Sequence, residues 1–433
     1  MHIKSLAIVA AAVMTAGAAQ AADLNKPAKV AVDYVKVCDA YGAGFFYIPG
    51  SDTCLKISGL VRAQFETGGT TKGSDIGVYQ SGLLNGASTR GSSTFWTGAR
   101  ADVNFDARTN TQYGLLRSFI DFHPDFGSSG ANSARTTVEL DSAFVQFGGL
   151  TAGRAETNYA FLFNSNIDNE FEAFTDTSSN QLAYTFTFGN GVTGTIAIED
   201  PTTVGYQNTA SGVGSAPARN FSAAGSFTYG ALNAPDIIGN LKVSQAWGSA
   251  QLSAGAHQDY GSAATPYTKW GYGIQGGVKF NVPTLGAGDT LGVQAAYSVG
   301  ATNLAYTYLY TGGTAGISSA DLGRDAAVAN GVLKQAKLWT IGAAFAHHFS
   351  PTLEFDFTPS YYAITNSNTA GALNYNAIEL GAQLDWTPVK GIDIIPDVEY
   401  RNVQTSSSTR AAGNATFSNA SAYVFDLRIQ RSF

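Results

Sequence analysis

The chain ends in an alternating segment, Ala422 to Phe433, with the sequence AYVFDLRIQRSF. Large or apolar side chains occupy every second position, and the residues between them are mostly polar or charged. Because side chains in a strand point to opposite faces with a period of two, this segment predicts a strand with one apolar and one polar face. Arg431 departs from the pattern, since it stands on the apolar face two residues before the end.

Similar alternating segments recur along the chain and are separated by residues that favour turns. Clear examples are residues 55–65, 95–107, 114–123, 182–198, 272–280, 291–297, 353–357, 378–386 and 392–400. Their polar faces carry many charges, among them Lys56, Arg62, Arg100, Asp102, Asp106, Glu354, Asp356, Asp385, Asp393 and Asp397. Such charges cannot all be buried in a dry core. A water-filled lumen with lipid outside satisfies both faces, and in hydrocarbon a sheet must close into a barrel.

Connections between these segments alternate between short and long. The short ones include 247–249, 348–351 and 387–391, and the long ones, rich in Gly, Ser, Thr and Asn, include 68–93, 201–220, 302–335 and 404–420. This alternation is typical of outer-membrane barrels with an even number of antiparallel strands. A soluble sandwich, whose charged face meets bulk water, is the rival fold, and the large number of candidate strands disfavours it. Several aromatic residues near strand ends fit interfacial girdles, namely Trp247, Trp270, Tyr272, Trp339 and Trp386.

The N-terminus has the features of a secretory signal peptide. Lys4 supplies a positive charge, Leu6 to Ala16 is a short apolar stretch, and Ala19-Gln20-Ala21 is a small-residue cleavage site. We therefore expect residues 1–21 to be removed on export. The apolar stretch is too short to cross a bilayer as a helix, and no later stretch is long and apolar enough to do so, which disfavours a helical membrane protein.

Composition narrows the class further. Charged residues make up 13% of the 433 residues, about half of the roughly 25% that is usual in soluble domains. A soluble chain of this length would divide into two or three domains, yet no linker or composition shift is present. The net charge of −7 without a basic stripe argues against a nucleic-acid partner. We expect an N-terminal segment over 22–54 and one barrel over 55–433.

Two cysteines, Cys38 and Cys54, stand close together near the start of the exported chain. An even count and a short separation in an exported protein favour a disulfide that closes a loop. The loop-entropy model predicts that such a crosslink stabilises the folded protein by about 3 kcal/mol. Two free buried thiols are the alternative, and a metal site is disfavoured because no histidine stands near either cysteine.

Three passages resemble segments of the alphaproteobacterial porins: VCDAYGAGFFYIPGSDTCLKISGLVR, GGLTAGRAETNYAF and LKVSQAWGSAQLSAGAHQDY. The resemblance continues through Pro283 to Asp289 and His347 to Leu353 to the final residues. The last strand, closing on Phe433, is similar to the C-terminal strand of outer-membrane barrels, which implies a barrel-insertion signal there. The family implies an all-β, 16-stranded antiparallel transmembrane barrel in outer-membrane lipid. It also implies a homotrimer that passes small hydrophilic solutes and ions by passive diffusion without a cofactor.

The resemblance also implies an inward-folded constriction loop over 155–180. This stretch carries Asp168, Glu170, Glu172 and Asp176, and its part from 158 to 180 has no Lys or Arg. We expect these acids to face a basic wall formed by Lys56, Arg62, Arg100, Arg117 and Arg154. Opposed charges across a narrow aqueous passage orient dipolar solutes and disfavour apolar ones. The alternative is a solvated acidic outer loop that binds Ca²⁺ weakly, although its spacing is not that of an EF-hand.

Motifs for enzymatic or cofactor chemistry are weak. Gly271, Gly273 and Gly276 match G-x-G-x-x-G, but they fall inside an alternating strand and not between a strand and a helix. His347 and His348 are adjacent, which points them to opposite faces, so no metal site is expected. An outer-membrane barrel enzyme, with His257 as its best candidate, and a substrate-selective channel are the competing functions. An adhesin would require a regular short repeat, and none is present.

Overall fold

The computed structural model describes residues 36–70, 95–129, 133–162, 174–175, 177–201, 230, 233–263, 265–306, 325–329, 331–365, 374–405 and 420–433. The predicted signal peptide over 1–21 lies outside the described residues. Within the described ranges, no helix has both the length and the apolar character that crossing a membrane requires.

The described residues form strands almost throughout, as the alternating pattern predicts. The strands are β1 Phe46–Tyr47, β2 Cys54–Thr70, β3 Phe95–Thr111, β4 Gly114–Ser129, β5 Ser133–Phe147, β6 Leu150–Glu156, β7 Ser178–Gly189, β8 Val192–Glu199, β9 Asp236–Gln245, β10 Gly248–Tyr260, β11 Thr268–Asn281, β12 Thr290–Val299, β13 Ala326–Ala329, β14 Val332–Gln335, β15 Lys337–Ser350, β16 Leu353–Thr365, β17 Tyr375–Val389, β18 Ile392–Thr405 and β19 Ala420–Ser432.

Sixteen of these strands, β2 to β12 and β15 to β19, form one closed antiparallel barrel. Each strand pairs with its neighbour along the chain, and the last strand β19 pairs with the first barrel strand β2, from Ala422 opposite Thr70 to Ser432 opposite Leu60. Closure removes every free sheet edge, which is what a sheet in hydrocarbon requires. The predicted 16-stranded antiparallel barrel is therefore confirmed.

Most short connections lie at one end of the barrel and most long ones at the other. The tight hairpin between β7 and β8 depends on positive φ angles at Gly189, Asn190 and Gly191, of 87°, 51° and 74°. Glycine adopts such angles without steric cost, and asparagine is one of the few other residues that tolerates them. Gly189, Asn190 and Gly191 therefore form the tight turn of a hairpin at the short-turn end of the barrel.

The two faces of the wall differ in chemistry as predicted. On β10 and β11 the outward side chains Leu252 and Ile274 are 55% and 48% exposed, whereas the inward Gln251 and Gln275 are 7% and 1% exposed. The described tryptophans Trp247, Trp270, Trp339 and Trp386 are also outward and exposed. The apolar side chains thus cover the outside of the barrel, and the polar ones line its interior.

The N-terminal segment is fastened to the inside of the wall by the predicted disulfide. Cys38 and Cys54 are bonded, with their Cα atoms 6.0 Å apart, and they form a small buried cluster with Phe45. The guanidinium of Arg108 on β3 lies over the rings of Tyr41 and Phe45, at 5.8 and 5.0 Å from their centroids. Such cation–π contacts attach the segment to β3.

The connection between β11 and β12 is fastened to β15 through Asp289. Its Oδ1 accepts a hydrogen bond of 2.9 Å from the backbone N–H of His348, and its Oδ2 lies 2.6 Å from Nδ1 of His347. These contacts, the first above all, hold the pKa of Asp289 below its ordinary value. His347 pairs with Phe355 and His348 with Glu354, so the two histidines do lie on opposite faces.

Candidate functional site

Four of the five predicted basic wall residues lie together on the inner face of β2, β3 and β4. Lys56 pairs with Asp106, Arg62 pairs with Arg100, and Arg117 pairs with Arg108. Directly opposed residues in an antiparallel pair share a face, and this face is opposite to that of the exposed Ile57, Val61, Phe105 and Ile120. The barrel therefore brings Lys56, Arg62, Arg100 and Arg117 to one inner surface.

This inner surface also carries acids that pair with the bases. Arg100 Nε lies 2.6 Å from Asp125 Oδ1, and Asp106 binds both Arg117, at 2.9 Å, and Arg108, at 2.6 Å. These acids hold the arginine side chains in place, so the surface carries charges of both signs and is not purely cationic. Because Arg108 and Arg117 sit directly opposite each other on neighbouring strands, the shared carboxylate of Asp106 also reduces their mutual repulsion.

Arg154 does not belong to this surface, which corrects the sequence-based assignment. It pairs with Ala143 on β5 and with Asn180 on β7. Two residues along these strands, Val145 and Leu182 are 49% and 48% exposed on the outside. Arg154 therefore faces outward, and its guanidinium donates to the backbone carbonyls of Leu140 and Ser178 at 2.9 and 3.1 Å.

The predicted constriction acids Asp168, Glu170, Glu172 and Asp176 lie outside the described residues. The described chain before them, Thr157 to Leu162, runs along the inner face of the barrel. Gln251 on β10 and Gln275 on β11 both donate to the carbonyl of Tyr159, at 3.3 and 2.9 Å. Further along, the backbone N–H of Leu162 donates to Gln294 on β12 at 2.9 Å.

The start of the same segment is held by Glu199 at the end of β8. The carboxylate of Glu199 accepts from the hydroxyl of Thr157 at 2.6 Å and from the backbone N–H of Asn158 at 2.9 Å. Asn240 on β9 donates to the carbonyl of Asn158 at 2.6 Å. The segment thus contacts five successive strands, β8 to β12, through inward polar side chains. Sequence reasoning missed these residues because single Gln and Asn positions on a polar face carry no motif.

Inward glycines leave room for the apolar side chains of the segment. A Cβ on Gly277 would lie 2.5 Å from the ring of Phe161, and one on Gly342 of β15 would lie 2.6 Å from the ring of Phe174. Phe174 itself is 2% exposed. After it, Thr175 donates to the carbonyl of Asn303, and Thr177 returns to accept from the backbone N–H of Thr157 at 2.8 Å.

A second connection, between β12 and β13, also lies against the inner wall. The hydroxyl of Tyr306 donates to Glu379 on β17 at 3.0 Å, and Nε of Arg401 on β18 donates to the same carboxylate at 2.6 Å. Ser360 on β16 adds a third donor at 3.3 Å. Tyr306 packs in a buried cluster with Tyr362 and other residues of β15 to β18. Sequence reasoning assigned 302–335 to an outer loop and did not foresee this contact.

Histidines that are scattered in the sequence meet acids in the fold. His257, Asp259 and Asp325 are buried and bring one potential ligand atom each within 4.8 Å of the others. Nδ1 of His257 lies 2.6 Å from Asp236, while Asp325 accepts from the hydroxyl of Thr302 at 2.7 Å. The first of these hydrogen bonds joins β10 to β9, and the second joins the two described ends of the second connection.

The wall formed by β16 to β19 is predominantly acidic. Its inner face carries Glu354, Asp356, Asp385, Asp393, Asp397, Glu399 and Asp426. Glu354 lies directly opposite Asp385, and Asp397 directly opposite Asp426. Arg401 and Arg428 are the inward bases among the described residues of these strands. The inner wall therefore carries charged side chains of both signs. The arginine-rich surface on β2 to β4 lies beside the acidic wall.

A family model matches almost the whole chain. It is described as the porin subfamily and covers residues 23–425. The chain belongs to the porin subfamily. This porin is 31% identical to the porin Omp2b of Brucella neotomae over 340 residues, which are 69% of this chain and 85% of the relative. It is 32% identical to a porin Omp2b of Brucella suis over 344 residues, 69% of this chain and 84% of that one.

Solved structures agree with the fold of this porin. The outer membrane channel DcaP of Acinetobacter baumannii has a TM-score of 0.66 at 14% identity, covering 89% of this chain and 99% of that one. OmpF of Salmonella typhi, in a complex with daunomycin, has a TM-score of 0.51 at 13% identity, with 88% and 99% covered. The protein is thus a porin of the bacterial outer membrane, and its family supports a channel function over an enzymatic one.

Proposed function

We propose that this porin conducts small hydrophilic solutes and ions by passive diffusion, through a passage narrowed by the segment between β6 and β7. The observation that carries the proposal is the path of Thr157 to Leu162 along the inner face of β8 to β12. A chain segment inside an aqueous barrel takes up cross-section, so it reduces the width that solutes can use.

The position of the segment supports a constriction in which acids of the segment and bases of the wall face each other at the narrowest point of the channel. Its described ends contact β12 through Leu162 and β15 through Phe174. The acids Asp168, Glu170 and Glu172 belong to the stretch between these two contacts. In the closed ring of sixteen strands, β12 stands directly across the barrel from the arginine-bearing strand β4, and β15 directly across from its neighbour β5. We infer that the acids face Lys56, Arg62, Arg100 and Arg117 across the water and set up a transverse field.

Single-channel recording in planar bilayers tests this proposal. The triple variant Asp168→Asn, Glu170→Gln, Glu172→Gln should change the conductance and shift the reversal potential in a salt gradient toward anion preference. Arg100→Gln should shift the reversal potential in the opposite sense. Arg154→Gln is the matched control, because Arg154 lies on the outer face and its neutralisation should leave ion preference unchanged. An unchanged conductance and ion preference in the triple variant would refute the constriction.

We also propose that the porin acts as a homotrimer, as its family resemblance implies. A barrel of sixteen strands encloses its own lumen, so each copy provides one complete passage. Each insertion of a trimer should therefore raise the conductance of a planar bilayer in one step, and that conductance should fall by thirds when single passages close under voltage. Closure of every inserted unit in one full step would contradict the trimer while leaving the diffusion proposal intact.

A further inference from the structure

Two neighbouring strands bring four potential metal ligands together on the inner wall. Asn104 on β3 lies directly opposite Asp121 on β4, and the register of these strands places Asp102 opposite His123. Asp102, Asp121 and His123 each offer one ligand atom, and these atoms all lie within 4.8 Å of one another. The amide Nδ2 of Asn104 donates to Oδ1 of Asp102 at 3.0 Å. Sequence reasoning missed this group because its members meet only when the two strands pair.

The two carboxylates of this group lie inside the arginine-rich surface but are not neutralised by it. The guanidinium of Arg100, two residues before Asp102, donates to both carboxylate oxygens of Asp125, at 2.6 and 3.2 Å. Among the described residues, no lysine or arginine forms an ion pair with Asp102 or Asp121. Two carboxylates this close repel each other unless a proton or a cation lies between them.

Two oxygen atoms of the group provide a second, independent observation. Oδ1 of Asp121 and Oδ1 of Asn104 are both buried and have no hydrogen-bond partner. The amide of Asn104 is oriented by its bond to Asp102, since exchanging its nitrogen and oxygen would bring two oxygens together. Buried polar atoms are nearly always satisfied, so each exception requires an explanation, such as a water or an ion. Both atoms are acceptors, which a cation satisfies directly.

We propose that Asp102, Asp121 and His123 form a binding site for a borderline divalent cation such as Zn²⁺, with the amide oxygen of Asn104 beside it. Imidazole nitrogen and carboxylate oxygen are a donor set that Zn²⁺ accepts, whereas Ca²⁺ and Mg²⁺ prefer oxygens alone. Ligand atoms in a tetrahedral zinc site lie roughly 3.4 Å apart at the usual bond lengths. Because Nδ1 of His123 already lies 3.9 Å from Oδ1 of Asp121, a small rotation of these side chains completes the site.

The site goes beyond passive diffusion, because it holds an ion on the wall of the passage. The next inward position on β3 is that of Arg100, which lies directly opposite Arg62 on β2. A bound Zn²⁺ adds two positive charges beside these arginines. The potential in the lumen then becomes more positive, and the channel should shift toward anion preference.

Isothermal titration calorimetry of the detergent-solubilised porin, purified without an oligohistidine tag, tests the site. We expect wild type to bind Zn²⁺ and to bind Mg²⁺ at least tenfold more weakly. Asp121→Asn keeps the size of the side chain and removes a charged ligand, so it should weaken Zn²⁺ binding at least tenfold. Asp393→Asn is the matched control, because it removes an inward carboxylate from a distant strand, β18, and should bind Zn²⁺ as wild type does.

Two further variants keep the inference testable. His123→Gln replaces Asp121→Asn if that variant does not fold, and the heat-modifiable mobility of the barrel in SDS gels verifies folding. His257→Gln alters the other buried group of histidine and acids and should retain Zn²⁺ binding. Absence of Zn²⁺ binding in wild type, undiminished binding in both Asp121→Asn and His123→Gln, or loss of binding in His257→Gln alone overturns the inference.

Planar bilayers provide a second measurement. Zn²⁺ should shift the reversal potential of wild type toward anion preference, EDTA should reverse the shift, and Asp121→Asn should not respond. Calorimetry needs no current, so the two proposals can fail separately. A barrel that binds Zn²⁺ but conducts no ions defeats the diffusion proposal and not the metal site.

Discussion

Glu379→Leu should lower the free energy of unfolding of the barrel far more than the double variant Glu379→Leu/Arg401→Leu. Both side chains are buried, at 0% and 2% exposure, and Arg401 Nε donates to Glu379 Oε1 at 2.6 Å. Glu379→Leu removes this carboxylate and leaves the guanidinium in the same buried place. Breaking a buried ion pair from one side typically costs about 3 to 5 kcal/mol. At 1.4 kcal/mol per tenfold change, that is roughly a hundred- to several-thousand-fold in the unfolding constant.

The same substitution should loosen the connection that Tyr306 anchors. The Tyr306 hydroxyl donates to Glu379 at 3.0 Å and accepts from Nη2 of Arg401 at 2.8 Å. Without the carboxylate, the hydroxyl loses its acceptor, and one hydrogen bond to a charged group contributes about 1.5 to 3 kcal/mol. We therefore expect flickering current in single-channel recordings of Glu379→Leu, as the released segment moves within the lumen.

Equilibrium unfolding by urea in lipid vesicles measures the stability difference, with Arg401→Leu and the double variant Glu379→Leu/Arg401→Leu as partners in a double-mutant cycle. The double variant should recover most of the loss, because a buried ion pair can be exchanged for apolar side chains at little cost. Equal destabilisation in the single and the double variants would refute the reasoning, since it would mean that the residual charge contributes nothing and only packing was lost.

Three further outcomes follow from described contacts. The double variant Gln251→Leu/Gln275→Leu removes three hydrogen bonds to the backbone of the inward segment, which together contribute about 3 kcal/mol. It should raise the single-channel conductance and the noise of the current. Asn233→Leu, which lies outside this contact, should change neither. Asp289→Asn should lower resistance to urea at neutral pH. Because the folded pKa of Asp289 is depressed, its stabilisation is complete above the ordinary carboxyl pKa and lost as pH falls through the folded value, so the two proteins should converge at acidic pH. Cys38→Ser with Cys54→Ser should cost about 3 kcal/mol and let protease cut the N-terminal segment, with reduced wild type behaving likewise.

Most of the fold could be predicted because barrel strands follow a simple physical rule. Each wall residue meets either water or lipid, so hydrophobicity alternates with the pleat, and segments such as 55–65 and 392–400 identified β2 and β18 directly. The disulfide followed from export and from an even cysteine count. The actual strands extend further than these segments, for example to Thr70 in β2. Beyond the membrane the wall meets water on both sides and the alternation fades.

The contacts that position the inward segments could not be predicted in the same way. Gln251, Gln275 and Gln294 come from three different strands, and their side chains meet the segment only once the barrel has closed. In the sequence they are polar residues on a polar face, and no pattern distinguishes them from side chains that contact only water. The same holds for Glu379, Arg401 and Tyr306, which are up to 95 positions apart. Contacts between distant strands depend on register, and register is fixed by the whole sheet.

The assignment of Arg154 is different, because the sequence held the means to correct it. Phe147 ends β5, Leu150 begins β6, and the two residues pair across a two-residue turn. Paired residues share a face, so Leu150 and every second residue after it continue the apolar, outward face of β5. Arg154 is the second such residue after Leu150. A charge that this counting places on the outer wall is more informative than one on the inner wall, because the lumen provides water for an ion and the lipid does not. The register alone therefore places Arg154 on the outer wall, away from the aqueous lumen.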